Sequence, residues 1–238
     1  MAKIIDLDTY TGMMSRNMSD GPTVIAISSA DAALNSFMSI LDNAKGYRSV
    51  GLLNFSYSTW RTSAVLSKAG NTSQVPTLLR LAIEASLYAH LFKESASWRD
   101  VWEKREICRK SKDKFRKEGL SAANSALRRG NEPLAIKAKT LYDQMIDIGG
   151  HPNATAVDLM TTLDFKEGEQ DGMAYFSQLS DHDARYLANL NIISTADVIL
   201  SVAQLTWPER HTLYGIQAHH DKMKRDAYIY TLLNQEKD

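Results

Sequence analysis

The chain has 238 residues, enough for one well-buried domain and too few for two large ones. Its 28 basic and 28 acidic side chains cancel, so no general field draws nucleic acid or anionic lipid to the whole molecule, and any such attraction must be local. The hydrophobic fraction of 44% is that of a globular protein, and no run approaches the roughly 18 uninterrupted apolar residues of a membrane span.

Residues 1–22 are weakly patterned and end in Asp20-Gly-Pro22, a turn signal, so they read as an arm or an edge element. Ile27, Ala30, Leu34, Phe37, Met38 and Leu41 then follow helical spacing up to Gly46. A second helix is expected over 47–69, with Leu53, Tyr57, Trp60 and Ala64 on one face, and a third over 73–92, apolar on nearly every side. From Ser97 to Glu118 a basic helix is expected, with Arg and Lys outnumbering the acids. A small-residue patch, Leu120 to Leu127, leads to Asn131, which can cap a helix whose stripe is Leu134, Ala138, Leu141, Met145 and Ile148. After Pro152 the hydrophobic period changes from 3.6 to 2, which predicts a β-hairpin over 155–179. Ser180 and Asp183 resemble a capping box opening a long helix to Trp207, and Pro208 begins another ending near Leu233.

The expected fold is therefore mainly α: one antiparallel helical bundle of about six to seven helices over 1–238, with one inserted β-hairpin. Cys108 has no second cysteine to bond, which suits a reducing compartment, and the start lacks the apolar run of a secretory signal, so the expected location is the cytoplasm.

The charged pair in the apolar third helix is the main candidate for chemistry. Arg80, Glu84 and Tyr88 are spaced one turn apart and project from one face. If that helix packs on the one ending at Gly149-Gly150, then Tyr142, His151 and Asn153 join them in a candidate pocket, with Glu84 or His151 as general base and Arg80 holding an anion. The bland alternative is an Arg80–Glu84 ion pair bracing the core and His151 capping a helix.

These residues carry a resemblance. An apolar helix with Arg-x-x-x-Glu, then Leu141-Tyr142 leading into Gly149-Gly-His151-Pro152, resembles uncharacterised bacterial all-helical families grouped with the HEPN-like domains, over about residues 47–160. The resemblance implies an up-and-down bundle, frequent homodimerisation and, in catalytic members, metal-independent RNA cleavage by Arg-x4-6-His on one helix. No Arg of this chain precedes a His at that spacing: Arg80 to His90 is too long and Arg210-His211 too short. What carries over is a binding role, or no role at all.

Elsewhere, Trp98 and Trp102 open the basic segment, and Arg105, Arg109, Lys112 and Arg116 are candidate anion-binding residues; the intermixed acids make this a solvated face and a weak, salt-sensitive contact at most. His182-Asp183, with His151 and His219-His220-Asp221, superficially resembles the ligand order of metal-dependent phosphohydrolases, but Asp183 is explained as a cap. Glu167, Glu169, Asp171 and Gly172 imitate a calcium loop whose twelfth position is Gln178 instead of Glu. Phosphate-loop, dinucleotide, His-Glu-x-x-His and Cys-x-x-Cys motifs are absent. The expectation is no metal and no cofactor, a homodimer, and either a helical interaction or ligand-binding module or a hydrolase or nuclease-like enzyme using the Arg80/Glu84/Tyr142/His151 pocket.

Overall fold

The computed structural model describes residues 7–20, 24–42, 44–150, 161–164, 173–176 and 182–235. Ten α-helices occur among them: α1 Leu7–Asp20, α2 Ile25–Ser39, α3 Tyr47–Ala69, α4 Val75–Glu94, α5 Ala96–Glu103, α6 Arg109–Gly130, α7 Glu132–Met145, α8 His182–Thr206, α9 Pro208–Leu213 and α10 Ile216–Gln235. The helical bundle is as expected, but the helices number ten, not six or seven. Strands β1 Thr161–Asp164 and β2 Met173–Phe176 pair antiparallel, Thr161 opposite Phe176 and Asp164 opposite Met173; the remainder of 155–179 lies outside the described residues.

The boundary expected between 92 and 97 falls at Ser95, which is extended (φ −138°, ψ 104°) and whose hydroxyl accepts from Trp98 N, so it closes α4 and caps α5 at once. The extra helices are α1 and those made by two breaks inside segments expected to run on. In the basic helix expected over 97–118, α5 ends at Glu103, a 3₁₀ turn covers Lys104–Glu106, and α6 begins only at Arg109. Gly215, at φ +63°, separates α9 from α10; left-handed backbone of this kind suits a residue without Cβ. Residues 7–20 form a helix on the edge, where Asn17 Nδ2 donates to Ala69 O at 3.0 Å and Asn71 Nδ2 donates to the Tyr10 hydroxyl at 2.9 Å.

Helix α4 is the axis of the core. Thirteen of its residues, from Val75 to Phe92, are buried, and it packs against α3, α6, α7 and α8. A helix apolar on all sides is stable only where neighbours cover every face. Trp60 on α3 is fully buried and its indole N–H donates to Ile192 O on α8 at 2.8 Å, so the bulkiest core side chain also finds its polar partner. Tyr88, Phe92, Trp102 and Phe115 form an aromatic cluster joining α4, α5 and α6, with centroid separations of 4.9 Å for Tyr88–Phe115 and 5.4 Å for Phe92–Trp102.

Helix α8 is the second core element. Its segment Ala184–Thr206 has a mean hydropathy of 1.4, making it long and apolar enough to cross a membrane by length and composition, although Arg185 and Asp197 interrupt its apolar run. It lies instead against α2, α3, α4 and α7, with Ile192, Ala196, Val198, Ile199 and Val202 at 0% exposure, the position of a core helix.

Candidate functional site

The charged face of α4 is the first place to examine. Arg80 and Glu84 are half-buried and do not pair: among the described residues no ion pair joins them, which corrects the expected brace. The Glu84 carboxylate acts instead on two phenols. Burial pushes the Tyr88 phenol well up, with the Glu84 carboxylate adding to the shift through charge and hydrogen bonding. Tyr142, half-buried on α7, is also raised by burial and by Glu84, with Arg80 opposing. Arg80, Glu84, Tyr88 and Tyr142 thus share one neighbourhood between α4 and α7, and the start of α4 is tied to the turn after α7 by Thr77 Oγ1 donating to Gly149 O at 3.2 Å. His151 and Asn153, the other two members of the candidate pocket, lie outside the described residues. What remains is a carboxylate beside two protonated phenols, a hydrogen-bonding surface with no described nucleophile–base pair.

The basic segment presents its cations to solvent and its aromatic faces to its own cations. Lys112 is exposed, Arg109 lies 3.9 Å from Asp113, and Arg116 lies 3.6 Å from the same carboxylate. Arg105 Nε donates to Glu106 at 3.0 Å while its guanidinium sits 4.6 Å over the Trp102 ring. Arg48 lies over the same ring at 5.7 Å, and Lys114 over Trp98 at 5.1 Å. Ring faces covered this way are not free to stack on bases. Cys108 precedes α6, where hydrogen bonds from Ser111 draw its thiol below the ordinary value.

A polar knot that the motif reading missed joins α7, α8 and α10. Asp197 on α8, 15% exposed, faces three cationic or ionisable groups: His220 Nε2 at 2.5 Å, Lys137 Nζ in direct contact and Lys224 Nζ at 3.6 Å. Burial pushes the Asp197 carboxyl up, but hydrogen bonds and charge from His220 and Lys137 hold it well below the usual carboxylate range. Its signal was present: Asp197 is the lone charge in the run Ile192–Val202. A second clasp, equally unmarked by motif, binds α2 to α3, where Arg61 grips Asp31 bidentately at 2.7 and 3.0 Å and the Tyr57 hydroxyl donates to Asp31 Oδ1 at 2.8 Å.

Among the described residues, no three His, Cys, Asp or Glu side chains come together as a metal site. His220 is turned to Asp197 and not to its neighbour Asp221, and His219 is exposed. The side chains of His182 and Asp183, and the acidic turn from Glu167 to Gln178, lie outside the described residues.

One open cleft of about 450 Å³ separates α2 from α10, lined by Ile25, Ser28, Ser29, Ala32, His219 and Lys222. Its polar groups satisfy one another: Lys222 Nζ donates to Asp226 at 2.6 Å and to the Ser29 hydroxyl at 2.8 Å, and Ser29 in turn donates to Asp226. Ser29 is thereby held in a closed Ser29–Lys222–Asp226 network that ties α2 to α10.

Helix α10 itself leaves large apolar groups in water. Tyr228 is 66%, Ile229 51%, Leu232 41% and Leu233 60% exposed, and just before the helix Leu213 and Tyr214 are 79% and 61% exposed. No family model matches the chain, and no curated protein and no solved structure matches it either.

Proposed function

We propose that the chain is a helical interaction module of HEPN-like appearance that acts as a homodimer. The observation that carries this reading is the apolar surface along α10, where Tyr228, Ile229, Leu232 and Leu233 are exposed within six residues, with Leu213 and Tyr214 exposed just before the helix. The polar clusters support it by what they do: the Asp197 and Asp31 knots tie helices together, and the Arg80/Glu84 face offers hydrogen bonds without a nucleophile–base pair. The whole segment 155–179 is read as one β-hairpin, and the single cysteine fits a cytoplasmic setting. Sedimentation of the purified chain over the micromolar range tests the proposal. A species of twice 26.6 kDa is expected, and a 26.6 kDa species alone would reject it.

The enzyme reading keeps one observation in its favour, the Glu84 carboxylate near enough to raise both the Tyr88 and Tyr142 phenols. A hydrolase or nuclease-like activity there would be lost in Glu84→Gln with folding intact, which a ribonuclease assay on both proteins decides.

A further inference from the structure

The outward face of α10 repeats every three and four residues: Ala218, Asp221, Arg225, Tyr228 and Leu232 are all exposed, while Ile216, His220 and Met223 point inward to the bundle. That spacing is the a/d seam of a two-stranded coiled coil, turned to solvent. We infer that this seam is a two-fold interface on which a second copy of the chain lays its own α10 antiparallel, the two helices crossing level with Met223. The inference rests on the homodimer proposed above and fixes where and in what register the copies meet.

The sequence of the seam decides the register. In an antiparallel pair, residues equidistant from the crossing level face each other, and a positions meet d positions. With the crossing at Met223, Asp221 faces Arg225 of the second copy and Arg225 faces its Asp221, so two reciprocal ion pairs form at the centre. Within one chain these two do not pair: Asp221 accepts from Gln217 Nε2 at 2.7 Å, and Arg225 has no ion pair among the described residues. Farther out, the small Ala218 faces the large Tyr228 of the second copy, and Tyr228 faces its Ala218, so both exposed rings are covered by symmetry. A parallel pair would set Asp221 against Asp221 and Arg225 against Arg225, which like-charge repulsion opposes. The zero net charge of the chain adds no long-range repulsion.

Disulfide trapping reads the register directly. In a Cys108→Ser background, the double variant Ala218→Cys/Tyr228→Cys should give a covalent dimer on mild oxidation. Neither single variant should, because like positions on the two copies stand about 15 Å apart along the helices, as do residues 218 and 228 within one chain, beyond disulfide reach. Arg225→Asp should weaken association by about tenfold or more, and adding Asp221→Arg should restore it to within about threefold, since the exchanged charges again face each other. A dimer that forms without the double-cysteine crosslink and ignores the charge exchange would overturn this interface while leaving the interaction module standing. A chain that stays at 26.6 kDa up to about 100 µM would overturn both.

Discussion

His220 Nε2 lies 2.5 Å from Asp197 Oδ1, a contact across 23 residues of sequence that locks α10 to α8. His220 is 2% exposed and the carboxylate is 15% exposed, so this pair and its Lys137 neighbour work in a setting where water screens little.

Asp197→Ala should therefore destabilise the fold by about 3 kcal/mol, because it leaves the buried His220 Nε2 without its partner. Lys224→Ala should change stability by less than about 1 kcal/mol, since its ammonium is half-exposed and 3.6 Å away. Urea denaturation of the two variants checks the contrast; equal losses would mean that the knot is not organised around Asp197.

Acid should weaken the protein in two stages. Burial lowers His90 and His211 below the ordinary imidazole value of 6.5, so both contribute stability that is present above that pH and is lost as pH falls towards their depressed values. The slope for each imidazole can reach about 1.4 kcal/mol per pH unit. Asp197, depressed from 3.8, contributes above that value and is lost only at much lower pH. Urea midpoints between pH 7.5 and 5 should fall, and His211→Gln should flatten the decline; a flat wild-type profile would contradict the burial argument.

Glu84→Ala should cost less than about 1 kcal/mol, since its carboxylate is half-buried and Arg80 does not depend on it. Tyr88→Ala should cost about 3 to 5 kcal/mol, because the ring packs 4.9 Å from Phe115 and 6.1 Å from Phe92. Thermal melts of both variants test whether the face is held by its ring or by its charge.

The basic segment should bind single-stranded oligonucleotides weakly, with affinity falling sharply from low to physiological salt. Its aromatic faces are already covered by Arg48, Arg105 and Lys114. A fluorescence-anisotropy titration at two salt concentrations decides, and tight binding indifferent to salt would refute the reading.

The helices that bury a stripe were legible because periodicity encodes a buried face, and α3, α4 and α7 lie close to where their spacing places them. The break between Glu103 and Arg109 was hidden because no glycine or proline marks it, the 3₁₀ turn Lys104–Glu106 lying inside a run of charged residues. Arg80 and Glu84 were found to share a face correctly, but spacing says nothing about whether two long side chains meet or turn to other partners. The Asp197 knot escaped notice because Lys137 is 60 residues away and His220 23 residues away; only the fold brings them together.

Helix α4 opens only Leu81, Lys93 and Glu94 fully to solvent. Such a helix has almost no place to record neutral change: a substitution at nearly any other position meets a neighbouring helix. In a saturation library selected for folding, α4 should accept the narrowest range of residues in the chain, while α6 and the outer face of α10 drift. Chains sharing this architecture would then be matched more surely by the twenty residues of α4 than by the surfaces through which they act.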